Sequence, residues 1–106
     1  MDVTASLPLS PRDLLILAVL SQDPLHGYGI IKAVEERSES GVLLDPANLY
    51  RTLRRMRRDG WIEEVDGDGD DRRRTFAVTG KGRAVLAAEV ERLERLLGQT
   101  RPALGR

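Results

Sequence analysis

Five arginines, Arg51, Arg54, Arg55, Arg57 and Arg58, fall within eight residues of the segment DPANLYRTLRRMRRDGW, which runs from Asp45 to Trp61. A guanidinium is a planar fork of N–H donors that pairs bidentately with a phosphate or with the O6/N7 edge of guanine. Asp59 is the one acid in residues 46–60, and no glutamate four residues away relieves the repulsion within the cluster. Other chemistry has less to work with. His26 is the single histidine and there is no cysteine, so neither a zinc site nor a thiolate nucleophile can be assembled. Asp66, Asp68 and Asp70 alternate as at the start of a calcium loop. Asp71 then stands where that loop needs glycine, and Ala77 where it needs glutamate, so the stretch reads as an acidic loop tip. No catalytic residue, metal or cofactor is expected, and the residues do not describe an enzyme.

The chain has 106 residues, 17 basic and 17 acidic, with a formal net charge of zero. The balance is local rather than uniform. Residues 1–45 carry three basic residues against seven acids, residues 61–71 carry six acids and no base, and Arg72, Arg73 and Arg74 follow. Affinity for a polyanion depends on the field over one face, so a zero total excludes little. The longest apolar run near the start, Leu14 to Leu20, is flanked by Asp13 and Asp23. It is too short to span a bilayer and lacks the basic lead of a signal peptide. A cytoplasmic protein with no membrane partner is expected.

The elements that must position the arginines follow from local signals. Residues 1–9 read as a loose, flexible arm. Ser10 can cap a helix with Pro11 at its first position, ending before Asp23-Pro24. HGYGI, His26 to Ile30, opens a second helix whose buried stripe is Ile30, Ile31 and Val34. His26 there reads as a structural histidine near a helix start. Val42 to Leu44 could form a short strand or an extended link. Asp45-Pro46 repeats the cap-then-proline signal, and the third helix should run to about Asp59 with Gly60 as its stop. Trp61 to Val65 and Arg72 to Val78 read as two strands of a β-hairpin with a long tip. Thr79 can cap a fourth helix that Gly98 should stop, leaving residues 99–106 as a frayed tail.

On the third helix, Leu49, Leu53 and Met56 share one side at about 100° per residue. Ala47, Arg51, Arg54, Arg55 and Arg58 lie broadly opposite, with Tyr50 and Arg57 on one flank and Asn48 on the other. A helix has the right width for the major groove of B-DNA, and the first turns of a recognition helix meet the bases. Ala47, Asn48, Tyr50 and Arg51 occupy those turns. Asn48 can read an adenine edge and Arg51 a guanine, whereas Arg54, Arg55 and Arg58 are placed to hold phosphates. Arg72, Arg73 and Arg74 give the hairpin its own basic strand, which can lie across the DNA backbone. The acids of the tip can instead pair with them, and can hold non-specific binding in check.

On the fourth helix, Leu86, Val90, Leu93 and Leu97 step by four, three and four, the spacing of a coiled-coil seam. A small unit has no inner use for so long a stripe, and a second copy is the simplest partner. Trp61 follows Gly60 at the helix-to-strand junction. It reads as core or as a wall at the dimer seam, with a ligand platform as the other possibility. The fold class is mainly α with a small β-hairpin: residues 10–78 form a winged helix-turn-helix, and 79–98 a dimerisation helix.

Three stretches, in this order, resemble the PadR-type transcriptional regulators over nearly the whole chain. PLHGYGIIKAVEE, Pro24 to Glu36, resembles the family's second-helix signature. DPANLYRTLRRMRRDGWIEEV, Asp45 to Val65, is similar to its recognition helix and first wing strand. RRRTFAVTGKGR, Arg72 to Arg83, is similar to its second wing strand and the start of its dimerisation helix. The resemblance implies a homodimeric winged-helix protein that binds double-stranded DNA, usually as a repressor. It places Tyr50 at the DNA-facing surface. It also implies the short subfamily with a single dimerisation helix, some relatives of which release DNA when an aromatic or lipophilic small molecule binds. Ala47 stands where glycine is common, and Arg57 where an acid is frequent. The competing expectation is a winged helix that binds protein or RNA and has no operator.

Overall fold

Each helix begins on the cap its sequence supplies. The computed structural model describes residues 3–65 and 74–105. Ser10 Oγ accepts from the Asp13 N–H at 3.1 Å and opens α1 (Pro11–Gln22). His26 Nδ1 accepts from the Gly29 N–H at 3.1 Å and opens α2 (Gly27–Arg37), which gives the lone histidine the structural role expected of it. Asp45 Oδ1 accepts from the Asn48 N–H at 2.9 Å and opens α3 (Pro46–Arg58). Thr79 Oγ1 accepts from the Gly82 N–H at 3.1 Å and opens α4 (Gly80–Leu104). In each case a side chain satisfies one of the N–H groups that a helix start leaves without a partner.

Three antiparallel strands complete the fold: β1 (Leu25–His26), β2 (Ile62–Val65) and β3 (Thr75–Val78), in the order β1-β3-β2. Ile62 pairs with Val78 and Val65 with Thr75, while Leu25 pairs with Phe76. The fold is thus a winged helix-turn-helix whose hairpin gains a third strand from the two residues that lead into α2. Val42 to Leu44 form no strand; Leu44 is buried as part of the link into α3.

The core gathers one face of every helix. Ile16, Leu17 and Leu20 come from α1, Ile30 and Val34 from α2, and Leu49, Leu53 and Met56 from α3. Trp61, Phe76 and Val85 close it from the sheet and α4. Each such side chain, fully buried, contributes about 1.5–3 kcal/mol, so the inner face of α3 is held firmly and its outer face is left to solvent.

Two expectations are corrected. The stretch read as a loose arm contains a 3-10 turn, Val3–Ser6, which packs on α4. Val3, Leu7 and Leu9 lean on the core, and the Leu9 N–H donates to Glu89 Oε2 at 2.8 Å. Glu89 is 1% exposed and is also gripped by Arg92 through two nitrogens. That pairing, above all, holds its carboxyl below the ordinary glutamate range although burial opposes the charge. The second correction concerns α4, which runs through Gly98 and Gln99 to Leu104. A glycine inside a helix costs about 1 kcal/mol but does not by itself end one. Pro102 near the end lacks an N–H and so leaves the Gly98 carbonyl without its helical donor.

Two glycines of α4 differ sharply in their surroundings. A Cβ on Gly82 would lie 2.1 Å from the Trp61 carbonyl oxygen, whereas one on Gly98 would meet nothing within 4 Å. Gly82→Ala should therefore destabilise the fold by about 1–3 kcal/mol through overpacking. Gly98→Ala should raise stability by up to about 1 kcal/mol. Urea unfolding midpoints check both, and equal effects would contradict the packing at this corner.

Candidate nucleic-acid interface

The outer face of α3 is built by what happens at its two ends. At the far end, Gly60 adopts a φ of +81°, a left-handed conformation that favours glycine. The Gly60 N–H donates to the Arg57 carbonyl at 3.0 Å and the Trp61 N–H to the Met56 carbonyl at 2.9 Å. These two bonds form a Schellman cap, which turns the chain out of the helix and into β2. Trp61 is 4% exposed. The site of a suggested ligand platform is thus spent on the core, where the Arg55 guanidinium lies 5.9 Å from the ring centre.

At the near end, three side chains form a chain of bonds. Asp45 Oδ2 accepts from Asn48 Nδ2 at 2.7 Å, and Asn48 Oδ1 accepts from Arg51 Nη1 at 3.1 Å. The Asn48 backbone N–H, followed by its amide and the Arg51 charge, holds the Asp45 carboxyl below the ordinary aspartate range against a smaller cost of desolvation. Both ends of the Asn48 amide are engaged. Reading an adenine edge would require it to exchange both bonds.

Ala47, Arg51, Arg54 and Arg58 are exposed together on this face. Tyr50 is 45% exposed, and its hydroxyl lies against Gly27, where an added Cβ would sit 2.4 Å away. The ring thus seats α3 on the start of α2 at Gly27, and the next residue of α2, Tyr28, is 65% exposed. Tyr28 was not singled out from the sequence, although it stands in the quoted HGYGI.

Arg55 is set apart. Its Nη2 lies 2.7 Å from Asp13 Oδ2 on α1, and Asp13 is 7% exposed. Arg12 joins the α3 arginines around an open cleft of about 290 Å³ that is also lined by Thr52. No local pattern places Arg12 or Asp13 at the face of α3, because 42 residues separate Asp13 from Arg55. Arg57 turns to the flank and pairs with Glu64 of β2 at 3.2 Å. Arg74 is exposed near the same carboxylate, at 3.9 Å. Arg72, Arg73 and the acidic tip, Asp66 to Asp71, lie outside the described residues.

The coiled-coil stripe of α4 divides. Leu86 packs against the chain's own core and Leu93 is half-buried, whereas Val90 and Leu97 are 43% and 47% exposed. Leu104 continues the spacing seven residues beyond Leu97 and is also exposed. Among the described residues no helix is long and apolar enough to cross a membrane, and no group of acids and histidine is placed to hold a metal.

The fold recurs in proteins of known type. The family model described as the transcriptional regulator PadR-like family matches residues 16–88. The chain belongs to the PadR-like family. Its members are transcriptional regulators, and no catalytic step enters their function. The transcriptional regulator YqjI of Escherichia coli is 31% identical over 81 residues, which cover 76% of this chain and 38% of that protein. The curated relatives are longer, and this chain spans between 24% and 38% of their length.

A PadR family transcription regulator from Clostridium difficile has a similar crystal structure, with a TM-score of 0.76 at 24% identity, covering 90% of this chain and 99% of that one. Bacillus subtilis PadR, solved in complex with operator DNA, aligns with a TM-score of 0.67 at 19% identity, covering 78% and 47%. Both likenesses establish the PadR winged-helix fold.

The bonds at the start of α3 give a measurable signature. Because the folded carboxyl of Asp45 titrates low, its ionised form contributes stability in full above about pH 3.9, the ordinary aspartate value. That contribution is lost as pH falls through the depressed value. Carbon-detected NMR titration should place Asp45 below that ordinary value. Asn48→Ala should raise it only partway, because the backbone N–H remains. An unshifted Asp45 in the wild-type chain would contradict the geometry.

Proposed function

We propose that this PadR-like regulator is a homodimeric repressor that places two copies of α3 in successive major grooves of an inverted-repeat operator. The observation that carries this reading is the outer face of α3. Arg51, Arg54 and Arg58 are exposed there, on a helix whose opposite side is anchored by Leu49, Leu53 and Met56. Arg51 reads a base, Asn48 fixes its direction, and Arg54 and Arg58 hold phosphates. Arg72, Arg73 and Arg74 extend the contact from the wing. The exposed Val90 and Leu97 supply a seam that a second copy covers. Repression asks only that the bound dimer occupy DNA that another protein needs. Release by an aromatic or lipophilic effector would act at the α4 seam, by changing how the two copies sit against each other, because the bonds around Trp61 hold α3 and α4 together within each copy.

Footprinting on DNA upstream of the chain's own gene tests the reading. Two protected half-sites about one helical turn apart are expected, with less transcript in a reconstituted reaction. A single half-site, or more transcript, would reject it. Arg51→Ala and Asn48→Ala should relax preference at the same base pair. Arg58→Ala should weaken all duplexes alike and reduce the salt slope by roughly one. Binding of RNA or protein with no duplex preference would favour an interaction module instead.

For the dimer, Leu97→Glu changes an exposed position and should leave the circular dichroism spectrum intact. Sedimentation should then show monomers, and operator affinity should fall by roughly 10²-fold as bivalency is lost. A persisting dimer would move the interface elsewhere.

A further inference from the structure

Charged groups converge a second time where the start of α1 meets α3. The carboxylate of Asp13 is buried, and its two oxygens face two different arginines. Oδ2 accepts from Arg55 Nη2 at 2.7 Å, while Oδ1 lies 3.8 Å from Arg12 Nε, beyond hydrogen-bonding reach. Both Arg12 Nε and Asp13 Oδ1 are buried without a hydrogen-bond partner among the described residues. Buried polar groups left so call for an explanation.

The two guanidinium groups are only partly buried, and both line the cleft that Arg51, Arg54 and Arg58 share. Five arginines thus line one opening, and two of them, Arg12 and Arg55, face the buried Asp13 carboxylate. A guanidinium carries five N–H donors. Asp13 takes one from Arg55 and leaves the remaining donors of that fork for an anion. One buried carboxylate therefore lowers the charge of the cleft by one, while it fixes the orientation of the fork that an anion would meet.

We propose that Arg12 and Arg55, anchored from behind by Asp13, form a seat for one backbone phosphodiester of the duplex that α3 reads. The inference rests on the DNA reading of α3 and adds α1 to the interface. The seat is continuous with the outer face of α3, because Arg51 and Arg58 line both. A phosphate strand bordering the groove that α3 enters would pass this opening. Such a contact carries no sequence information but sets the height and tilt of α3 in the groove. Arg12 is a positioning residue in this scheme.

The test uses the full chain and a random-sequence duplex as probe, titrated between about 50 and 200 mM salt. Arg12→Gln should reduce the slope of log affinity against log salt by roughly one and weaken binding roughly tenfold at the lowest salt. Arg12→Lys keeps the charge and should restore the slope while recovering only part of the affinity. Arg101→Gln, on the far part of α4, should change neither. A wild-type slope and affinity in Arg12→Gln overturn the seat. If that variant melts early, Arg12→Lys with a wild-type melting temperature decides by affinity: a loss supports the seat, and wild-type affinity overturns it. Inorganic phosphate is the second probe. Thermal stabilisation by phosphate that Arg12→Gln abolishes, with duplex binding unchanged, overturns the duplex as occupant and assigns the seat to a small anion. A wild-type chain that binds no duplex overturns the DNA reading itself, and the seat with it.

Discussion

The backbone of Trp61 joins the parts of this molecule. Its N–H closes the end of α3 on the Met56 carbonyl, and its own carbonyl accepts from the Thr79 N–H at 2.9 Å. Gly82 lies so close over that carbonyl that a side chain there has no room. Two further bonds secure the corner: Thr79 Oγ1 donates to the Gly60 carbonyl at 2.6 Å, and Lys81 Nζ donates to the Asp59 carbonyl at 2.8 Å. The last turn of the arginine helix, the first wing strand and the first turn of α4 therefore meet around one peptide unit. Because a buried amide or carbonyl is costly to leave unpaired, these elements cannot shift independently without losing several of the bonds together.

Much of this was legible in the sequence because its signals are local. Ser10, Asp45 and Thr79 each stand where a cap is needed, and Gly60 stands where a left-handed residue is needed. The division of α3 into apolar and basic sides follows from its helical period alone. What could not be read has a common cause, which is distance along the chain. β1 is two residues long, too short to show alternation, and exists because β3 is there to pair with it. Glu89 looks like one more charged position on a helix until Leu9, 80 residues away, is found covering it. The partnership of Asp13 with Arg55 was hidden in the same way. Gly98 is the opposite case, a local stop signal that the surrounding helix formers outweigh.

The neutral composition also has a structural explanation. Among the described residues, the acids near the arginine cluster lie at its margins. Asp13 takes Arg55 from below, Glu64 takes Arg57 and approaches Arg74 from the wing, and Asp59 stands 3.9 Å from Arg58 at the helix end. Arg51 is bridged to Asn48, an uncharged partner. Negative charge thus trims the field at Arg55, Arg57, Arg58 and Arg74, and a chain of zero net charge still keeps one locally positive helix.

The corner at Trp61 bears on how such a regulator can change over generations. Arg51, Arg54 and Arg58 are exposed, so substitutions there should cost little stability, whereas Arg55 and Tyr50 are tied to Asp13 and to the start of α2. The angle between α3 and α4 has no such freedom, because Thr79, Lys81, Gly82 and the Trp61 peptide fix it jointly. If the chain reads paired half-sites as proposed, base preference and half-site geometry are inherited separately. Under that reading the first can drift one residue at a time, whereas the second changes only when several contacts change at once, which would make the spacing of the proposed operator the more durable trait of the lineage.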